Sequence, residues 1–516
     1  MSVEASRNLY DDVFYPGRVY EHTHPNRLAT LASVYGMKPA PAERCRVLEL
    51  GCGAGANLLP MAYQYPDSEF VGIDRSGATI ARGNGELAAL GLANLRLLPC
   101  DILDVDESFG RFDYILAHGV FSWVPPNVRD KMMAVFEANL SPQGVCYVSY
   151  NAHPFSHTRD LARDMMLFHT RHLPNMKEKV SQSRSIMKFL SEGSKAGSVH
   201  GTIMRDQYSR ILSMPDEVLF HDDLNEFAEA FLLHRVIESG AGHGLQYLSD
   251  AEFSRRNLAR YSEDVRAVLE KFPDDEFAAR DQYQDFLDGF GFRRTLLCHG
   301  DISLRRGLEM DFFRPFHLLA TTQPVGTEFC LTDMSALEFR TQEGSSLRVS
   351  HPVLKAAYLC LGRSWPGAPT FDELLDETSR ALVAAGGDAP DREAVGILTQ
   401  AMFVLAQSGE VELLLSRPNL TTVVSDWPVA SLIARRQALN GMLVTNLLHQ
   451  SVRLENENAC RILQLLDGSR TFDDLVAEIR SQPALVASTT AADQHDLPDH
   501  LTRFLGTASK LGLLIR

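Results

Sequence analysis

Val47-Leu48-Glu49-Leu50-Gly51-Cys52-Gly53-Ala54-Gly55-Ala56-Asn57 sets a short apolar strand against a glycine-dense turn and the start of a helix. Glycines serve where the backbone must turn with positive φ or approach a ligand closely, and a helix start offers unpaired N–H groups. A nucleotide-like cofactor is expected at this turn. The spacing Gly51-x-Gly53-x-x-Ala56, with Asp74 further on, also fits the dinucleotide fingerprint, so the glycines alone do not decide the ligand. Glu49 does. An acid at the strand end, two residues before the first glycine, is misplaced beside an anionic pyrophosphate and well placed beside a cationic, phosphate-free ligand.

S-adenosylmethionine meets that requirement with its sulfonium and α-amino groups, and Glu49-x-Gly51-x-Gly53-x-Gly55 resembles the first motif of class I S-adenosylmethionine-dependent methyltransferases. Phe70-Val71-Gly72-Ile73-Asp74 reads as a second strand ending in an acid whose oxygens can accept both ribose hydroxyls. Leu95-Arg96-Leu97-Leu98 reads as a third, followed by Asp101 for the adenine amino group and Ile102 for the ring face. Acids at the carboxyl ends of three successive strands line the edge where open α/β sheets bind ligands. The cofactor set is therefore Glu49, Gly51, Gly53, Asn57, Asp74, Asp101, Ile102 and His118, with S-adenosylhomocysteine as product.

Alternation of apolar strands and amphipathic helices continues in the βαβ manner. A helix over 76–90 begins at a serine cap. Strand four covers 112–117, a helix 127–140 and strand five 144–150. A helix over 224–240, a strand at 245–248, a helical stretch at 281–289 and a strand at 292–299 complete a seven-stranded sheet with an antiparallel edge. The polar, helix-prone stretch between them is an insertion from a strand's carboxyl end, hence a lid over the site. The expected organisation is an N-terminal cap and core (1–154), a helical insertion (155–220), completion of the sheet (221–304) and two winged-helix-like modules (305–418 and 419–516). The fold class is α/β: a class I methyltransferase Rossmann-like sheet plus α+β modules.

The modules are legible as a degenerate repeat. Thr370-Phe371-Asp372-Glu373-Leu374-Leu375 recurs as Thr471-Phe472-Asp473-Asp474-Leu475-Val476, each copy opening a helix with a threonine cap and an acid three residues on. Winged helices often bind DNA, but the third helix of the first copy (394–408) has no basic residue, and Arg503 and Lys510 are alone in the second. A net charge of −16 also argues against a broad nucleic-acid surface. Protein interaction, dimerisation or substrate docking is the expected role.

The 516 residues, 45% hydrophobic and 22% charged, describe a soluble globular chain with room for several domains. Residues 1–5 lack the basic and apolar regions of a secretory signal, and no segment reads as a membrane span, which places the chain in the cytoplasm. Eight cysteines form no C-x-x-C pair and read as reduced thiols. His169-x-x-His172 has helical spacing, but no carboxylate or thiol completes a ligand set nearby, so no metal is expected.

Tyr15-Pro16, Thr23-His24-Pro25-Asn26-Arg27-Leu28, the glycine loop, His118-Gly119-Val120-Phe121-Ser122-Trp123-Val124-Pro125 and Val148-Ser149-Tyr150-Asn151 resemble bacterial methyltransferases that carry a methyltransferase regulatory domain. The likeness continues through Leu219-Phe220-His221, His243-Gly244-Leu245-Gln246-Tyr247-Leu248, Arg294-Thr295-Leu296-Leu297-Cys298 and Val444-Thr445-Asn446-Leu447. It implies kinship with rickettsial protein-lysine methyltransferases that modify outer-membrane proteins. Ala152-His153-Pro154-Phe155 departs from the Pro-Gly-type turn expected of that family.

Methyl transfer to an amine is an in-line displacement that needs alignment and a neutral nucleophile. Tyr20, Phe121, Trp123 and Tyr150 are candidate aromatic walls for an ammonium. Among His22, His24, His118, His153, His157 and His221, His118 ranks first because it follows strand four directly. The catalytic candidates are His118, Tyr150 and Tyr20; the substrate candidates are Phe121, Trp123, Asn151, His221 and His24. A polypeptide lysine is the expected acceptor, without nucleic acid, and a homodimer is compatible with the modules. A small-molecule methyltransferase and a non-catalytic S-adenosylmethionine-responsive regulator are the alternatives.

Overall fold

The computed structural model describes residues 15–515 apart from 16, 226, 274–275, 342–343 and 482–496. Pro16 and the 1–5 segment, used above, lie outside the described residues, as do residues 6–14 of the expected cap and residue 226 of the expected 224–240 helix.

β1 (Arg46–Leu50), β2 (Glu69–Asp74), β3 (Leu95–Pro99), β4 (Phe112–Ala117), β5 (Leu140–Asn151), β6 (Leu245–Asp250) and β7 (Phe292–His299) form one sheet in the order β3-β2-β1-β4-β5-β7-β6. The first five run parallel, and β7 lies antiparallel between β5 and β6. Order reverses between β1 and β4, so the loop after β1 opens at the switch point where α/β sheets bind ligands.

Side-chain parity divides the core into two layers. Val47, Phe70, Tyr114, Val145 and Tyr147 pack on one face with Leu28, Met61 and Ile80. Leu48, Val71, Ile115, Cys146, Val148 and Tyr150 pack on the other with Met132, Phe136 and Val236. This is the period-two rule of a strand buried on both sides.

Boundaries shift from the sequence reading in a few places. The helix at Gly77–Leu90 is capped by the Ser76 hydroxyl, which accepts from Thr79 N–H at 3.2 Å. β5 begins at Leu140, earlier than expected, because the helix ending at Asn139 runs straight into it. The helix expected over 224–240 starts only at Leu233. Phe231 is instead extended against β5, its N–H bonded to Asn151 O at 2.9 Å while His153 N–H reaches Phe231 O at 3.0 Å. Backbone pairing with the end of β5 outweighs helix propensity there.

The insertion is four helices, Ser156–Thr170, Met176–Gly193, Val199–Ser213 and Asp216–Asp223, around a core that includes Ala162, Met166, Met187, Met204 and Leu219. Beyond the sheet come β8 (His317–Leu319), β9 (Thr322–Pro324), β10 (Leu337–Thr341) and β11 (Ser346–Val349). Helices Pro352–Ser364, Phe371–Ala384 and Arg392–Ser408 and the strand β12 (Glu412–Leu414) follow. The third of these helices begins at Arg392, so it carries one basic residue that the 394–408 reading left out.

Thr370 and Glu373 make a reciprocal capping box. The second copy repeats it, with Thr471 N–H to Asp474 at 2.9 Å and Asp474 N–H to the Thr471 hydroxyl at 3.2 Å. The last module packs helices Leu432–Gln437, Glu457–Leu465, Phe472–Ser481 and Leu497–Lys510 with a hairpin of β13 (Leu443–Thr445) and β14 (Ser451–Arg453). Among the described residues no helix is long and apolar enough to cross a membrane.

Candidate functional site

Three glycines of the loop, Gly51, Gly53 and Gly55, have φ of 72°, 56° and 74°, which only glycine adopts cheaply. A side chain at Gly53 would meet nothing within 4 Å, so this residue leaves open space beside the loop. A Cβ at Gly51 would come within 2.6 Å of Val120 Cγ2, so Gly51 serves packing rather than direct approach by a ligand. Asp74 holds the loop from the side: Gly53 N–H and Ser76 N–H donate to its two oxygens, each at 2.9 Å.

Glu49 is 3% exposed. Asn57 Nδ2 donates to its Oε1 at 2.9 Å, while Oε2 is buried with no hydrogen-bond partner among the described residues. Desolvation, against the Asn57 bond and aided by the nearby Asp74 charge, pushes its pKa up to about 8. An orphaned carboxyl oxygen at the strand end that leads into the glycine loop fits a ligand that brings an ammonium or other cation. The chain segment 17–24 runs close over the loop: a Cβ at Gly17 would lie 2.6 Å from that of Ala56, and Tyr20 N–H donates to Asn57 Oδ1 at 3.0 Å.

Tyr20 and His118 stack at 3.6 Å, and His118 Nδ1 lies 2.9 Å from Tyr147 OH. Burial, helped by Arg294 and His22, lowers the His118 pKa to about 3, so the imidazole is neutral. Asp101 caps a short 3₁₀ turn, accepting from Leu103 N–H at 3.0 Å, and faces Arg75 at 3.6 Å; Ile102 packs against the β-sheet core.

The remaining candidates are placed as follows. Tyr150 is fully buried, its hydroxyl 2.8 Å from Thr295 and its ring against Phe121 and Phe231, on the opposite sheet face from Tyr147. Phe121 belongs to the same core. Trp123 donates its indole N–H to Asp222 O at 3.3 Å. Asn151 accepts from Arg159 at 3.1 Å. His221 is buried edge-on to Tyr15. His24 is buried with Nε2 3.4 Å from Gln64 Oε1, and desolvation lowers its pKa to about 3. Thus Glu49, Asn57, Asp74, Tyr20 and His118 converge on the loop and the end of β4, whereas Tyr150 and Phe121 sit in the core.

Three groups escaped the sequence reading. Tyr147 partners His118; the parity of β5 separates it from Tyr150 by face but does not say which face meets His118. Asp222, at the end of the insertion, has its pKa raised to about 6 by burial, opposed by Arg159 and supported by Asp223, and it acts electrostatically on Tyr15 and Tyr20. His449 comes from the last module and donates to Asn57. His153, His157 and Asp160 bring three potential ligand atoms within 4.8 Å of one another, unlike His169, whose ring faces Gln182 at 3.1 Å.

Residues 41–213 match the family model of a methyltransferase domain, 215–299 that of a predicted methyltransferase regulatory domain, and 426–503 that of the PKMT C-terminal winged helix domain. Over 456 residues the chain is 32% identical to Uncharacterized protein RP789 of Rickettsia prowazekii, spanning 87% of this chain and 81% of that one. The chain belongs to this family of S-adenosylmethionine-dependent methyltransferases. A second relative in Rickettsia prowazekii, Uncharacterized protein RP028, is 35% identical over 239 residues, 46% of this chain and 96% of its own. PKMT2 from Rickettsia typhi superposes with a TM-score of 0.88 at 26% identity, covering 97% of this chain and all of that one, and it has also been solved in complex with AdoHcy. The methyltransferase assignment, the α/β class with its winged-helix module and the cofactor expected from Glu49 and the glycine loop all stand.

Proposed function

We propose that this methyltransferase acts on lysine side chains of a polypeptide. The observation that carries the reading is the end-to-end likeness to PKMT2, which extends through every module rather than the cofactor domain alone. A separate cavity of about 540 Å³, lined by Glu21, His22 and Arg27 of the N-terminal segment, Glu252 and Arg294 of the regulatory segment and Glu412 of the first C-terminal module, does not include the residues assigned to cofactor and acceptor.

Glu49, Asn57, Gly53, Asp74, Asp101 and Ile102 are the residues we assign to S-adenosylmethionine, which supplies an activated methyl group on sulfur when bound. Neutral His118, held by Tyr147 and stacked on Tyr20, is too weak a base to take a proton from an ammonium with a pKa near 10.4. Its role is to orient and desolvate the nucleophile. Asp222, half-buried, with its pKa raised to about 6 and its charge acting on Tyr15 and Tyr20, is a stronger base than His118 and is better matched to hold the ammonium and to accept its proton as desolvation lowers the ammonium's own pKa. Trp123 lies alongside, with Tyr15 and His221 as neighbouring rings.

A homodimer forms part of the proposal. Phe168, Phe189, Val199 and Leu212 of the insertion expose apolar surface suited to a second copy. Eight free thiols accord with a reducing cytoplasm. Incubation with methyl-labelled S-adenosylmethionine and fractionated lysate tests the acceptor: label is expected in acid-stable methyllysine of protein. Label confined to low-mass metabolites would replace this reading with small-molecule methylation, and tight binding without turnover would point to a regulator.

A further inference from the structure

The β13–β14 hairpin of the last module does not point away from the protein. Its tip, residues 446–450, is tied to the cofactor domain: Leu447 O accepts from Gln64 Nε2 at 2.6 Å, Leu448 O from Arg27 at 3.3 Å, and Gln450 Nε2 donates to Glu21 at 3.0 Å. At its apex His449 is fully buried with φ of 60°, the one non-glycine residue with positive φ among those described. Asn446 enforces that turn, its Oδ1 accepting from Leu448 N–H at 3.0 Å and Gln450 N–H at 2.8 Å. A strained backbone and a buried ring whose Nδ1 has no hydrogen-bond partner among the described residues are costly, and such costs gather at functional sites.

The ring faces Asn57, and hydrogen-bond counting fixes the chemistry. Tyr20 N–H can only donate, so the atom it meets is the Asn57 amide oxygen. Asn57 Nδ2 then spends both protons, on Glu49 Oε1 at 2.9 Å and the Thr23 hydroxyl at 3.0 Å, and Thr23 gives its own proton to Tyr20 O at 2.7 Å, the shorter of its two acceptors, Asn57 Oδ1 lying 3.3 Å away. The second lone pair of the amide oxygen lies 2.9 Å from His449 Nε2, which must therefore carry the proton. One amide thus joins the glycine-loop acid, the N-terminal segment that covers it and the C-terminal module.

We propose that His449 is a positioning residue of the cofactor site: its Nε2–H holds Asn57 in the orientation that presents Glu49, so that docking of the C-terminal hairpin sets affinity for S-adenosylmethionine. This rests on the assignment of Glu49 to the cofactor. The hairpin of a winged-helix module then acts as a clasp on the catalytic domain in cis.

Calorimetric titration of the full chain with S-adenosylmethionine tests it. His449→Phe keeps a ring without the N–H and is expected to raise Kd about tenfold, roughly the worth of one buried hydrogen bond. His449→Gln, with an amide N–H within reach of the same oxygen, is expected to recover most of the affinity, and in a Glu49→Gln background the effect of His449→Phe is expected to shrink. Wild-type affinity in His449→Phe, equal losses in the Phe and Gln variants, or full additivity with Glu49→Gln would overturn the relay. Independently of any variant's folding, nitrogen NMR of the wild-type chain is expected to find His449 as the Nε2–H tautomer, and an Nδ1–H tautomer or an imidazolium would also overturn it. If Glu49→Gln itself leaves Kd unchanged, the cofactor assignment falls and the relay with it; a weakened Glu49→Gln beside an unaffected His449→Phe removes the relay alone.

Discussion

Binding of S-adenosylmethionine should expel a proton from Glu49. Without a cation beside it, the buried carboxyl titrates near 8 instead of its ordinary 4.5, so at pH 7 about nine-tenths of it is protonated. A ligand ammonium near Oε2 favours the ionised form and returns the pKa towards the ordinary range. The ligand's own α-amino group, with a pKa of roughly 7.7–8.0, stays charged below pH 7, so the protein group dominates that window. Linkage then makes the association constant rise about ninefold between pH 6 and pH 7, with close to one proton released per cofactor, and turn over near pH 8, where the ligand's own ammonium is lost. The sign for stability is the opposite. With its folded pKa raised, Glu49 contributes stability to the cofactor-free chain that is fully present below about 4.5 and is lost as pH climbs towards 8. Calorimetry in phosphate and in Tris, whose ionisation enthalpies differ, measures the released proton directly. A pH-independent Kd between 6 and 7, or the same slope in Glu49→Gln, would refute the reasoning.

Other substitutions read out separate parts of the site. Asp74→Ala removes acceptors for Gly53 N–H and Ser76 N–H and should weaken cofactor binding by about 2 kcal/mol, the scale of hydrogen bonds to a charged acceptor, measurable by the same titration. Gly51→Val forces a branched side chain into φ of 72° and onto Val120, so its first effect should be a lowered Tm, with strain alone of roughly 1–2 kcal/mol. Asp222→Asn should cut kcat at least tenfold, a modest share of general-base catalysis, and abolish the acidic limb near pH 6 while leaving the Kd for S-adenosylmethionine unchanged. Arg293→Met takes from Asp285 and Asp250 the buried guanidinium that meets them at 2.7 Å and 3.2 Å, leaving Asp250 without an arginine and Asp285 with Arg255 alone, and should cost about 3–5 kcal/mol, seen as a large fall in Tm.

The glycine loop, the strand-end acids and the period-two strands were legible in sequence because each is a local rule: positive φ demands glycine, and a strand buried on both sides demands a run of apolar residues. Ser76 and the two threonine capping boxes were legible for the same reason. Tyr150 shows where local reading stops. It and Tyr147 lie on one strand, and only the packing of helices on each face decides which tyrosine meets His118 and which meets Thr295. The helix that begins at Leu233 rather than near 224 is another case, since the extended pairing of Phe231 with β5 depends on a strand more than seventy residues earlier.

The sequence by itself determined the α/β core, the cofactor class and the two threonine capping boxes, because spacing and residue type suffice for strands, turns and caps. Tertiary structure alone decided that the charge of Asp222, from the insertion, acts on Tyr20 and that His449 closes on Asn57 from the far end of the chain. Those contacts join residues hundreds of positions apart, and their energies depend on burial and on the count of donors and acceptors around a single amide, neither of which has a period along the chain.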